Sequence, residues 1–399
     1  MNTAYFQKLN QSLKSYKRAI PSLLVDLDRL DQNIQALKKL MPEDKAFRIV
    51  VKSLPSIPLI DYVMGKMDTN KLMVFHQPFL SEIAHHYGKK VDVLIGKPMP
   101  ALTADYFYQT LDTNSTFQAD KQVQWLIDTE QRLKQYIELA KKHKQKILVS
   151  LEIDVGLHRG GFGTLESLCS ALKIIEQNQE HLKLAGFMGY DPHVAHLPKI
   201  LRSPKKSFQF ANDFYKACIE VLKSDFQDLW HQNLTFNGAG SPTLPLHKDT
   251  HSVLNDVSTG SALVKPTHFD IPSLSSFIPA CFITTPVLKK MKGTTLPGLE
   301  KLKGLFNLLR PFFRKSYFIY GGYWKADYYF PPKTRDNPLF GPSTNQTMVN
   351  SASNIDLEVD DFIFLRPTQS EFVFLQFGNI IAMRGGEIET EWPILQNAY

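Results

Sequence analysis

The residues here that could act on a carbonyl compound are a lysine, an arginine, a tyrosine and several glycine–serine turns. Lys52 stands in Phe47–Leu59, FRIVVKSLPSIPL. Ile49, Val50, Val51 and Phe47 surround Arg48 and lead into the lysine, and Ser53 and Pro55 follow at once. β-Branched residues favour an extended strand and Pro55 ends regular pairing, so Lys52 is predicted where a buried strand opens into a loop. In a barrel or a parallel sheet, active sites are built at such strand ends. A desolvated lysine there can form a Schiff base with a carbonyl. A lysine snorkelling from a strand end is the structural alternative.

Four further stretches carry chemistry. Glu152–Gly163, EIDVGLHRGGFG, places Asp154 and Arg159 in a glycine-dense loop. Its glycines permit tight turns, and Arg159 could steer an anionic oxygen or form a salt-bridged turn. Met188–His196, MGYDPHVAH, offers Tyr190 for stacking and Asp191, His193 and His196 for proton transfer. Its His-x-x-His spacing resembles a metal motif, but two histidines do not make a site. Phe236–Pro242, FNGAGSP, puts Gly238, Gly240 and Ser241 in a small-residue turn. Asp256–Ser261, DVSTGS, adds Ser258, Thr259, Gly260 and Ser261. Such turns are phosphate cradles, and with a strand-end lysine they describe a phosphorylated carbonyl cofactor. The chain has neither GxGxxG nor a Walker A motif, which argues against nicotinamide and ATP.

Alternating strands and helices must position these motifs. Residues 1–20 read as a helix with Tyr5, Phe6, Leu9, Leu13 and Tyr16 on one side. Strands are predicted at 22–28, around Lys52, and at 72–75, 91–95, 115–117, 147–153, 182–188 and 234–236. Val257–Ser261 begins a further connection. Helices fall between most of the strands, including a long one within Val123–Lys144. The pattern predicts an α/β fold, a TIM (β/α)8 barrel over 22–270, preceded by the helix of 1–21 packing on the tail. The tail, 271–399, reads as a β-rich domain with strands at 277–287, 316–320, 362–365, 372–377 and 380–383. A helical signal at 299–309 falls within a basic stretch, 288–315, read as a surface insertion.

Composition excludes several classes. With 399 residues and 21% charged side chains, the chain is an ordinary globular protein with room for two domains. A net charge of +7 suits an anionic substrate or cofactor but is too diffuse for nucleic acid. Three scattered cysteines suggest neither a disulfide framework nor a cysteine-rich zinc site. No membrane span or signal peptide is read, so a cytoplasmic location is expected.

Taken in order, the motifs resemble the pyridoxal-phosphate enzymes with the alanine racemase barrel, in the D-threonine aldolase and D-serine dehydratase branch. PSLLVDLDRLDQNI, VVKS, EIDVGLHRGG, GYDPH, GAGSP and VSTGS carry the resemblance over about 20–265. It implies that Lys52 holds pyridoxal 5'-phosphate as an internal aldimine, with Arg159 and Tyr190 beside the ring. Gly240, Ser241, Gly260 and Ser261 then lie on the phosphate side. It also implies a homodimer and a lyase acting on β-hydroxy D-amino acids. An amino-acid racemase, or a cofactor-binding protein without turnover, is the alternative. The tail departs from the metal-using members. Pro367-Thr368-Gln369-Ser370-Glu371 has glutamine at the histidine position and glutamate at the second ligand, and Asn345-Gln346 replaces a Glu-His pair. A divalent metal is therefore not expected. Glu371, or Asp191 and His193, could serve as the base that the metal would otherwise activate. The remaining alternative is a plain polar wall of Gln346, Gln369 and Glu371.

Overall fold

The computed structural model describes residues 2–112, 115–196, 203–249, 252–295, 297–298, 300–302 and 311–396. Two compact units form. One is built mainly from Ala36–Ala262, and the other from Met1–Gln35, Leu263–Asp270 and Ser275–Ile394.

The strand predicted to open the barrel, β1 (Ser22–Asp26), is not part of it. It runs through the sheet of the second unit. All five of its residues are buried. A short apolar run of this kind fits a barrel strand and a central sheet strand equally well.

The first unit is a closed parallel barrel of eight strands. They are β2 (Ala46–Val50), β3 (Lys71–Val74), β4 (Asp92–Ile95), β5 (Val123–Ile127), β6 (Ile147–Glu152), β7 (Leu182–Gly189), β8 (Thr235–Gly238) and β9 (Asp256–Thr259). Strand β9 pairs back onto β2, Ala46 opposite Asp256, and closes the ring. Residues 115–117, predicted as a strand, are irregular, and β5 opens the stretch predicted to contain a long helix. The apolar run VQWLI leads straight into the amphipathic helix Glu130–His143, so helical spacing hides the strand. The break is Thr129, whose side chain accepts the Arg132 N–H as an N-cap.

Side chains on alternate strand positions fill the barrel. Towards the C-terminal ends, Met73, Leu94, Leu126 and Met188 form an apolar layer, with Val50, Phe75 and Tyr190 packed against it. Below lies Arg48, fully buried. Its guanidinium donates to both oxygens of Asp256 at 3.0 and 2.9 Å and to Asp92 Oδ1 at 2.7 Å. The fork geometry of arginine matches the Asp256 carboxylate, and the pairing makes burial of these charges tolerable.

The second unit is β-rich. Its sheet takes β1 together with β10 (Cys281–Met291), β11 (Ser316–Tyr320), β12 (Ala326–Phe330), β13 (Thr334–Asp336), β14 (Gln346–Ser351), β15 (Phe362–Pro367), β16 (Ile380–Arg384) and β17 (Glu387–Trp392). Strand β1 is antiparallel to β10 and parallel to β16. The helix Thr3–Ser15 buries Phe6, Leu9 and Leu13 among Phe282, Phe330, Phe362, Phe364 and Met383. In place of the strand predicted at 372–377 there is a short 3₁₀ helix, Phe372–Leu375, where the Phe374 N–H turns back to the Ser370 carbonyl at 3.1 Å. Most of the helical stretch predicted at 299–309 lies outside the described residues. Among the described residues no helix is long and apolar enough to cross a membrane.

Candidate active site

Strand β2 ends at Val50, and Val51–Ser53 turns as a single 3₁₀ turn that carries Lys52. The Leu54 N–H closes the turn on the Val51 carbonyl at 2.9 Å. Lys52 is partly buried, its Nζ 4.5 Å from the centre of the Phe75 ring. Phe75 follows β3, Arg159 lies in the loop after β6, and Tyr190 follows β7. Gly240 and Ser241 follow β8, and Gly260 and Ser261 follow β9. All these residues therefore lie at the C-terminal mouth of the barrel, where loops can vary without disturbing the barrel.

Two hydroxyl pairs join the turns beside Lys52. Ser53 Oγ and Ser261 Oγ are 2.9 Å apart, and Ser241 Oγ is hydrogen-bonded to Thr259 Oγ1. The Ala262 N–H also donates to Ser241 Oγ at 3.1 Å. Glycine at 260 is what lets β9 approach β2 so closely. A Cβ there would lie 2.7 Å from the Val50 carbonyl oxygen and 2.9 Å from Ser53 Cβ. At Gly240 a Cβ would come within 3.0 Å of the Tyr190 ring.

The Arg159 guanidinium lies 5.2 Å from the Tyr190 ring centre. Its loop is held by Asp154, whose Oδ1 accepts the N–H groups of Gly156 at 3.0 Å and His158 at 2.9 Å. Burial would raise the Asp154 carboxyl, but these N–H donors and the His158 ring hold it below the usual range. Asp154 is thus a loop anchor. Gly161 has φ +92°, and a Cβ there would strike the Glu152 carbonyl at 2.7 Å, so that turn requires glycine.

Two carboxylates here escaped the motif reading. Glu152 ends β6, and burial raises its carboxyl, with Arg159 opposing and Asp128 and Asp154 adding to the rise. The signal for Glu152 was its parity with Ser150 on β6, because Ser150 donates inward to Gln124. Asp128 follows β5, the strand that opens the stretch predicted to contain a long helix.

Asp191 is not placed to serve as a base. It is 3% exposed and accepts Thr243 Oγ1 at 2.7 Å, while its other oxygen lies 2.9 Å from His247 Nε2. His247 Nδ1 in turn lies 2.7 Å from Ser252 Oγ. This buried chain ties the Tyr190 loop to the turn after β8. His193 begins the short helix His193–His196. A Cβ at Gly156 would lie 3.3 Å from His193 Nε2, so this imidazole borders the Arg159 loop. The His196 side chain lies outside the described residues.

Glu371 belongs to the other unit, just before Phe372–Leu375. Gln369 accepts from Lys325 at 3.0 Å and Gln346 from Lys289 at 3.2 Å, so the two amides serve different lysines. Among the described residues, no group of three His, Cys, Asp or Glu side chains could hold a metal ion.

Residues 25–267 match the family described as alanine racemase, N-terminal domain. No curated protein matches the chain. Among solved structures, a D-threonine aldolase from Filomicrobium marinum superposes with TM-score 0.72 at 18% identity, over 94% of both chains. D-threo-3-hydroxyaspartate dehydratase from Delftia sp. HT23 gives 0.70 at 14% identity, over 94% of this chain and 97% of that one. An alanine racemase of Clostridium difficile 630 gives 0.68 at 16% identity, over 94% and 98%.

Proposed function

Because this chain belongs to the alanine racemase N-terminal-domain family of fold-type III pyridoxal-phosphate enzymes, we propose that it is a pyridoxal-phosphate-dependent lyase acting on β-hydroxy D-amino acids. The observation that carries the cofactor assignment is the Lys52 amine, 4.5 Å from the Phe75 ring and next in sequence to a cluster of hydroxyls.

The residues present fit that cofactor. Met73, Leu94, Leu126 and Met188, with Phe75 and Tyr190, give an aromatic ring an apolar bed. Between Ser241 and Thr259 only one hydroxyl proton is used within the pair, which leaves the other for a bound phosphate. Gly240 and Gly260 allow the close backbone approach that a phosphate cradle needs. Bound there, pyridoxal phosphate supplies an electron sink that makes the bonds at an amino acid's Cα labile.

The chain's own residues then select the bond. Lys52 supplies the anchoring amine and a proton carrier for one face of Cα. Arg159, held over Tyr190, orients an anionic oxygen. Aldol cleavage requires a base at the substrate hydroxyl, and elimination requires help to the leaving oxygen. Tyr190 and His193 are the candidates for that work, and no metal is assigned to it. The D-threonine aldolase and hydroxyaspartate dehydratase among the similar structures support the lyase reading. The alanine racemase among them supports the second reading, a racemase with proton carriers on both faces. A homodimer is part of the proposal, and a monomeric mass at micromolar concentration would refute it.

The test is a substrate screen followed by NMR in deuterated water. D-Threonine should give aldehyde and glycine, or β-hydroxy D-amino acids should give a keto acid and ammonia. Alanine that exchanges and inverts, with D-threonine and D-serine untouched, would replace the lyase by the racemase. Wild-type protein mixed with pyridoxal phosphate should absorb in the visible region, and Lys52→Ala should not. Absence of that band in wild type refutes the cofactor assignment. Chelation should leave both band and activity unchanged, and stoichiometric zinc or manganese would contradict this.

A further inference from the structure

The same eight strands have a second mouth, at their N-terminal ends. It opens on a cavity of about 450 Å³, within the size range of small-molecule sites. Lys71 and Asp92 begin β3 and β4, Lys121 precedes β5, Lys183 lies near the start of β7, and His231 precedes β8; all line this cavity.

The charges of the lining do not cancel. Asp92 accepts from Arg48 at 2.7 Å and from Lys71 at 3.3 Å. Asp256 is taken by Arg48 on both oxygens. The two carboxylates are thus neutralised within the floor. Lys121 donates to the neutral amide of Gln118 at 3.0 Å, and among the described residues neither Lys121 nor Lys183 makes an ion pair. Two exposed lysines therefore line one cavity with no carboxylate partner among the described residues. Gln124 and Thr235, 3.3 Å apart in the floor, add polar groups that can bind hydroxyls.

The backbone is also shaped here. The β6–β7 ladder slips by one residue, Val149 opposite Leu184 but Ser150 opposite Gly186. The extra residue is Ala185, and Leu184 and Ala185 both line the cavity. The slip depends on Gly186, at φ +144°, where a Cβ would meet the Thr235 carbonyl at 1.8 Å. Bulges of this kind re-aim side chains at barrel rims. The mouth is polar and cationic.

We infer that the N-terminal mouth of the barrel is a second binding site, which takes a small polyanion bearing phosphate or carboxylate groups. Lys121 and Lys183 clamp the anion, while the Arg48–Asp92–Asp256–Lys71 floor holds the strand ends in place. The site lies at the opposite strand ends from Lys52 and does not depend on the reaction proposed there.

The experiment is calorimetric titration of the full chain at low ionic strength with pyrophosphate and, separately, with citrate. Three proteins are compared: wild type, K121Q/K183Q and, as a control at the other mouth, Ser241→Ala. The expected result is saturable binding of at least one anion that S241A retains and that K121Q/K183Q weakens about tenfold or more, as expected for the loss of two charged contacts. Pyrophosphate alone binding points to a phosphate ligand, and citrate alone to a carboxylate. Both lysines are exposed, so an unchanged unfolding temperature verifies that the variant is folded, and K183Q alone serves if it is not. No saturable binding of either anion overturns the inference. So does binding that the lysine variant keeps or that S241A loses.

Discussion

Replacing Arg48 by leucine tests how the strand that carries Lys52 is held. Arg48 is 0% exposed and donates to Asp256, Asp92 and the Leu72 carbonyl. Leucine fills part of the space but leaves Asp256, 2% exposed, with its guanidinium partner gone. Asn237 at 2.5 Å still donates to it, but Lys71 approaches only to 3.9 Å. Breaking a buried ion pair from one side costs about 3–5 kcal/mol. For a unit of this size that is a fall of roughly 6–20 °C in unfolding temperature. The effect depends on pH. Burial would raise the Asp92 carboxyl, but Arg48 and Lys71 together hold it below its ordinary value. In wild type its contribution is therefore present above the ordinary aspartate value and is lost only as pH falls through the lower folded value. R48L removes the arginine that lowers the Asp92 carboxyl, so the gap to wild type should narrow as pH falls below the ordinary aspartate value. Thermal denaturation followed by circular dichroism across that range measures it. A cost below about 1 kcal/mol, or a gap that stays constant with pH, would refute the argument that the guanidinium neutralises a buried acid cluster.

Three further outcomes are expected. Gly260→Ala places a methyl group 2.7 Å from the Val50 carbonyl, and the strain should weaken pyridoxal phosphate binding about tenfold, as read by titrating the visible band. Glu152 gains stability from its raised carboxyl in full below the ordinary value of 4.5 and loses it as pH rises through the folded value, so Glu152→Gln should flatten that decline in a pH series of urea melts. His247→Leu removes a partner of buried Asp191 and should cost about 2–3 kcal/mol in the same melts, with Thr243→Val costing less.

Much of the site could be read locally. Lys52 precedes Pro55 at the end of a β-branched run, and Gly240, Ser241, Gly260 and Ser261 follow short strands. Such turns and strand ends are decided by residues a few positions apart, so the sequence alone determines them and places their side chains near one mouth of a barrel. Local pattern also separated the alternating part of the chain from its β-rich tail. It could not say which sheet claims Ser22–Asp26, because pairing partners are chosen by residues more than 250 positions away, such as Cys281 and Ile380. Nor could it find β5, whose apolar spacing runs on into a helix. Asp191 looked like a base beside Tyr190. It became a buried strut only when folding brought Thr243 and His247 to its two oxygens. Arg48 stood out in sequence as a charge in an apolar strand, and only closure of the barrel supplied Asp92 and Asp256 to meet it. Burial, charge pairing and register are set by neighbours far apart along the chain, and so only the tertiary structure could decide them.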